Sequence, residues 1–277
     1  MKSNTKQVKG WVFTMAKRID ENRNYKQRFM KGFHMLTGAK SLYTVWSDLM
    51  LLYSIEIANT VMRPLKDNEP FKDVWQEREE QYIKTIKTYN KKEQKIICQM
   101  FTMLVLELEK NPNQDLLGEL YMTLGISNNH AGQFFTPYSV CELMSGVTIN
   151  KKQLAKEVHN KGYVIINDCA CGAGATLISA TEHCKSMFKK LNYQDHVGVV
   201  AQDIDILCVQ MCYIQLSLHG LSGYVVHGNT LTEPEVTDLH RIWFTPMWFN
   251  NVWTMRRLFH GQDILGRERK QKENGKA

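Results

Sequence analysis

Tyr163-Val164-Ile165-Ile166-Asn167-Asp168-Cys169-Ala170-Cys171-Gly172-Ala173-Gly174-Ala175 is the stretch that decides the fold. Three consecutive β-branched residues predict a buried strand over 163–167, and helical pattern resumes near 175–190. Between them an acid and two glycines flanking one small residue make a tight strand-to-helix turn, where the backbone can come close to a ligand. Such a turn also serves packing alone. The pattern recurs downstream: strands are expected at 197–201 and 223–227, separated by a helix over 205–219 that is apolar nearly all round. A βαβαβ order implies a parallel sheet with helices on both faces and ligands beyond the carboxyl ends of the strands.

Upstream the character is different. From Ser41 to Met62, Leu42, Val45, Trp46, Leu49, Leu52, Tyr53, Ile57 and Val61 recur at helical spacing, and Pro64 stops the run. Further helices are expected over 73–89, over 92–110 up to Asn111-Pro112, and from the cap Asp115 to Gly125. This gives an all-helical domain over 1–125, an α/β domain over 126–259, and a charged tail over 260–277 without apolar periodicity, expected to be disordered.

A chain of 277 residues with 43% apolar content can build a real core. It shows no signal-peptide pattern and no apolar run of membrane-spanning length, so a cytoplasmic location and no membrane partner are expected. Seven scattered cysteines predict reduced thiols, and the Cys169/Cys171 and Cys208/Cys212 spacings argue against a metal site. The net charge of +7 favours a polyanionic partner. Residues 1–66 hold twelve Lys/Arg against four Asp/Glu, and residues 255–277 seven against three. Both ends are candidates for phosphate contact, and a solvated surface with a frayed tail explains them equally.

A second acid sharpens the reading. Asp203 lies at the end of the next strand, where a carboxylate can accept both ribose hydroxyls of a nucleoside. The neighbouring Asp205 is the better candidate for capping helix 205–219. Before the glycine turn stands Gly132-Gln133-Phe134-Phe135-Thr136-Pro137. Thr136 and Pro137 suit a helix start, while two consecutive aromatics need another reason.

These segments in order, GQFFTP, DCACGAGATL, QDID and His227-Gly228-Asn229-Thr230-Leu231, resemble the cofactor-site motifs of adenine-N6 DNA methyltransferases. The likeness is strongest to the modification subunits of type I restriction systems and covers roughly residues 40–250. It implies a class I, Rossmann-like fold that binds S-adenosylmethionine (SAM), behind a helical N-terminal domain. It also implies residue roles. Phe134 and Phe135 would line the cofactor pocket, with Thr136 and Pro137 at its edge. Asp168, Gly172 and Gly174 would hold the methionine moiety, Asp203 the ribose, and Ile204 and Asn229 the adenine. Asn229 stands where the family commonly has Asp, yet its carbonyl still accepts from the adenine amine.

The family's Asn/Asp-Pro-Pro-Tyr/Phe tetrapeptide, which orients the target amine of a flipped base, is absent. Its place reads Trp243-Phe244-Thr245-Pro246-Met247-Trp248-Phe249, so Thr245, Pro246 and Trp248 are the catalytic candidates, against the reading of this run as core or interface. With about 28 residues after Phe249, the sheet is expected to be C-terminally truncated. Trp243, Phe244, Trp248, Phe249 and Trp253 would then form an apolar cover for a specificity subunit or a second methyltransferase subunit. Two functions follow: SAM-dependent adenine-N6 methylation of DNA, or a catalytically degenerate SAM- or DNA-binding module acting through partners.

Overall fold

The computed structural model describes residues 24–125, 135–188 and 191–260. Five helices come first: α1 (Tyr25–Leu36), α2 (Leu42–Met62), α3 (Phe71–Ile86), α4 (Lys91–Lys110) and α5 (Leu116–Thr123). Next are α6 (Tyr138–Thr148) and α7 (Lys151–Lys161), then β1 (Val164–Asp168), α8 (Ala175–Met187), β2 (Val197–Asp203), α9 (Ile206–Leu218) and β3 (Ser222–His227). A three-residue β4 (Ile242–Phe244) and α10 (Asn251–His260) complete the described chain. Of the expected tail over 260–277, His260 is the last residue of α10 and 261–277 lie outside the described residues.

Local chemistry sets the helix ends. The Ser41 side chain accepts from the Thr44 amide at α2, and Asn90 with Glu93 forms a reciprocal capping box at α4. Asp205 accepts from the Leu207 amide and caps α9. Helix α6 begins one residue later than expected, at Tyr138, and Pro137 rather than Thr136 occupies its cap position, without a side-chain bond.

The four strands lie in the order β1-β2-β3-β4. The first three are parallel, with Asp168 beside Ala201 and Asp203 beside His227. That parallel βαβαβ unit is the one expected from the sequence. β4, which the sequence reading did not offer as a strand, runs antiparallel to β3, with Tyr224 opposite Phe244. Buried Arg78 of α3 fixes it there: its guanidinium donates to the Ile242 carbonyl at 2.9 Å and lies 3.9 Å over the Trp243 ring. The segment 243–249 therefore sits beyond β3, at the opposite edge of the sheet from β1. Among the described residues β1 has no neighbour on its outer edge.

Packing separates two faces. Val199 and Ala201 of β2 and Val225 of β3 pack with Ile178 of α8 and Val209 and Tyr213 of α9. α9 is buried on nearly every side because α2 covers it from above, and Ser54 of α2 reaches the Gln210 carbonyl. The opposite face carries Ile165 and Gly198, and Trp253 of α10 lies against them. Trp243, Phe244, Trp248 and Trp253 are buried within this chain, which corrects the expectation that they form an exposed apolar cover.

A polar side chain ties the helices to the sheet. Gln215 of α9 is 0% exposed and donates to the Asp115 carboxylate and the Ala173 carbonyl, both at 2.8 Å. Its carbonyl accepts from the Leu117 amide at 3.1 Å. Gln215→Leu should therefore strand the Leu117 amide and the Ala173 carbonyl in the interior, leave the Asp115 carboxylate with only the Gly118 amide, and cost about 3 kcal/mol or more. Urea unfolding will read this as a lowered midpoint, and a loss below about 1 kcal/mol would contradict it.

Candidate functional site

The carboxyl ends of β1, β2 and β3 converge on one set of loops. Gly172 and Gly174 adopt φ of +52° and +97°, a region L side chains rarely enter, so the turn requires glycine at both. Phe135 packs over Gly172, and the Cys212 sulfur lies under Gly174. The turn is thus held from above and below, and α8 starts directly at Ala175.

Asp203 closes the turn from β2. One carboxylate oxygen accepts from the Gly172 amide at 2.8 Å and the other from the Asp205 amide at 2.9 Å. Each oxygen keeps a lone pair for one further donor. Burial raises the Asp203 pKa despite these two bonds. The Asp168 carboxylate accepts from the Ala170 amide at 3.1 Å and from the Thr176 hydroxyl.

The third loop joins the first two. Thr230 donates to the Cys169 carbonyl at 2.7 Å, and the Gly228 amide donates to the Asp203 carbonyl at 2.9 Å. Asn229 lies in this loop, where its side-chain carbonyl accepts from the Leu231 amide at 3.0 Å. Ile204 projects next to Asp203 with 67% of its surface exposed, an apolar face presented at a polar rim.

Between these loops lies a hollow of about 80 Å3 lined by Asp115, Phe135, Thr136, Asp168, Gly172 and Thr176, among others. It is small beside ordinary ligand pockets, so it suits a short polar arm, with the remainder of a ligand across the rim at Asp203 and Ile204. Asp115 is a lining residue that the sequence offered only as a helix cap. Its pKa is raised by burial, and with Asp168 and Asp203 it gives the site an acidic lining suited to a cationic ligand.

The structure thus brings Phe135, Thr136, Asp168, Gly172, Gly174, Asp203, Ile204 and Asn229 to one end of the sheet. Pro137 follows directly as the cap residue of α6. Phe134 lies outside the described residues. Thr245, Pro246 and Trp248 are not brought there. Thr245 pairs with the start of β3: the Gly223 amide donates to its hydroxyl at 3.0 Å, which itself donates to the Leu221 carbonyl at 2.6 Å. At 0% exposure that hydroxyl has no access to a substrate.

The sequence profile described as N-6 DNA Methylase matches residues 112–274, more than half of the chain. The chain belongs to the N-6 DNA methylase family. It is also 27% identical over 159 residues to the type I restriction enzyme MpnII methylase subunit of Mycoplasma pneumoniae (strain ATCC 29342 / M129 / Subtype 1). That alignment covers 54% of this chain and 26% of the relative, so the chain spans about a quarter of that subunit's length. The matched region contains both the loop cluster and the run around Thr245, and only the loop cluster forms a hollow lined by acids and glycines.

In this family member the Thr245 hydroxyl is a structural tie. Thr245→Val, equal in shape and lacking the hydroxyl, should cost about 1–3 kcal/mol in stability while leaving ligand affinity at the glycine turn unchanged. Denaturation and calorimetry on one preparation test both halves, and a stable variant with lost affinity would overturn this assignment.

Proposed function

We propose that this chain is the cofactor-binding part of a SAM-dependent DNA adenine-N6 methyltransferase of the type I modification-subunit kind. It would be organised as a helical domain over 1–125, a class I, Rossmann-like domain over 126–259 and a basic tail over 260–277. The observation that carries the reading is the Asp203 carboxylate bound to the Gly172 amide at 2.8 Å, which joins the glycine turn of β1 to the acid of β2. Asp203 would take the ribose hydroxyls through its remaining lone pairs. Ile204 and Asn229 would flank the adenine, and Asp168 with the turn through Gly172 and Gly174 would hold the methionine end. The acidic lining by Asp115 and Asp168 complements the positive sulfonium and ammonium groups of SAM. When bound, SAM supplies an electrophilic methyl group. The chain's own part is to orient it and to keep water from the methionine arm.

DNA is the proposed methyl acceptor, reached by flipping the target adenine from the duplex, and a specificity subunit or second methyltransferase subunit is the proposed partner. The relative's name supports a place in restriction-modification. A cytoplasmic location accords with this, and no helix among the described residues is long and apolar enough to cross a membrane.

The position of Thr245 favours a second reading, in which the chain binds SAM or DNA and acts only through partners. Without two acceptors aligned on the target amine, the isolated chain should methylate adenine about two to three orders of magnitude more slowly than an assembled enzyme. A radiolabel transfer assay with and without specificity subunits separates the readings, and an ordinary rate from the isolated chain would overturn this one.

Cofactor binding has its own test. Calorimetry with S-adenosylhomocysteine should show saturable binding, and Asp203→Ala should weaken it by about 1–3 kcal/mol. No binding at millimolar concentration, or unchanged affinity in the variant, would remove the cofactor assignment.

A further inference from the structure

A second cavity lies against the face of the sheet that α10 covers, toward the amino ends of the strands. It has a volume of about 300 Å3 and is lined by Tyr163, Ile165, Tyr224, Trp248, Trp253, Arg256 and Arg257, together with Val199, Val200, Ser222 and Gly223. That size is at the lower limit of small-molecule sites. No carboxylate is among its lining residues.

Two features define its chemistry. The first is a set of aromatic faces already paired with cations: the Arg256 guanidinium lies 5.0 Å from the Trp253 ring and 5.6 Å from the Tyr163 ring, and Arg257 lies 3.8 Å over Trp248. The second is a group of buried donors without an acceptor among the described residues. Ser222 Oγ, Trp248 Nε1 and Arg256 Nη1 are all in this condition. Trp253 is not, because its indole N–H donates to the Gln194 carbonyl at 2.8 Å. Native interiors rarely leave buried polar groups unpaired, and three on the lining of one cavity call for a ligand rich in acceptors. Burial lowers the Arg256 pKa although the Asp195 carboxylate acts against it, so removal from water outweighs the nearest anion.

We propose that this cavity is a nucleotide-binding site, in which a nucleobase packs on the half-buried Tyr224 ring and its phosphate takes the hydrogen bonds of Arg256, Arg257 and Ser222. The unit can come from a free mononucleotide or from one nucleotide of a single strand. Stacking on aromatic rings beside arginine is sequence-tolerant and suits either source. The site is separate from the glycine turn and does not depend on the methyl-transfer reading.

Trp248 and Trp253 make the test direct. Tryptophan fluorescence of the full chain is titrated with thymidine 5′-monophosphate, a pyrimidine nucleotide chosen to avoid the adenosine site. Parallel titrations use thymidine, inorganic phosphate and a short oligothymidylate. Saturable quenching by the nucleotide is expected, with thymidine and phosphate each at least about tenfold weaker. Tighter binding of the oligomer identifies a strand as the source, and equal binding identifies the free nucleotide. Arg256→Gln should weaken nucleotide binding about tenfold or more, while Asp203→Ala should leave it unchanged. If Arg256→Gln unfolds by circular dichroism, Ser222→Ala, which removes only a hydroxyl, decides through a severalfold loss. No saturation by nucleotide or oligomer at millimolar concentration, or parent-like affinity in the folded variants, overturns the proposal.

Discussion

The buried carboxamide of Gln215 makes three hydrogen bonds to segments far apart in the chain: Asp115 and Leu117 at the start of α5, and Ala173 inside the glycine turn. Each partner needs the amide in one orientation, because its N–H2 end serves the carboxylate and the Ala173 carbonyl while its oxygen serves the Leu117 amide. A buried network of this kind stabilises only when every member is satisfied, so the helical layer and the turn hold each other in place. The left-handed backbone at Gly172 and Gly174 is kept by this outside support, and the close approach of Asp203 follows from it.

A second buried polar group governs the other edge of the sheet. Arg78 has no carboxylate partner in its ion-pair range among the described residues. It relies on the Ile242 carbonyl and the Trp243 ring, and burial brings its pKa down to about 10. It therefore remains charged at neutral pH, and its removal from water is offset only where β4 lies against α3. β4 is too short to fix its own direction, with three residues and three paired positions. The Arg78 contact supplies the missing constraint, and as a consequence Thr245 lands on the start of β3.

Much of this was legible in the sequence. The runs at 163–167, 197–201 and 223–227 are rich in β-branched residues and bounded by turns, and they became β1, β2 and β3 within two residues at each end. The regular spacing of Leu, Val and Trp gave α2, and the acid and glycines at the strand ends marked the loop cluster. α7 was missed because its sequence KKQLAKEVHNK is mostly charged and buries only Leu154 and Val158. β4 was missed because Ile242-Trp243-Phe244 is only three residues long and apolar throughout, with no alternation to mark it as a strand. The lining role of Asp115 needed the tertiary contact with α9, which no local pattern reports.

The two ends of the sheet have opposite character, and the geometry explains how both coexist. Asp115, Asp168 and Asp203 gather where the strands end, and Arg256 and Arg257 sit toward where they begin. β2 has seven residues, which at about 3.3 Å per residue separates its ends by roughly 20 Å. That exceeds the Debye length of about 8 Å at physiological ionic strength, so charges on the solvent-facing rims of the two sites scarcely feel one another. Within each site burial disfavours the charged form, raising the pKa of Asp115 and Asp203 and lowering that of Arg256, and a ligand of opposite sign reverses that penalty. The acidic end is thereby matched to a cation and the basic end to an anion, and one small mixed sheet can present both without either neutralising the other.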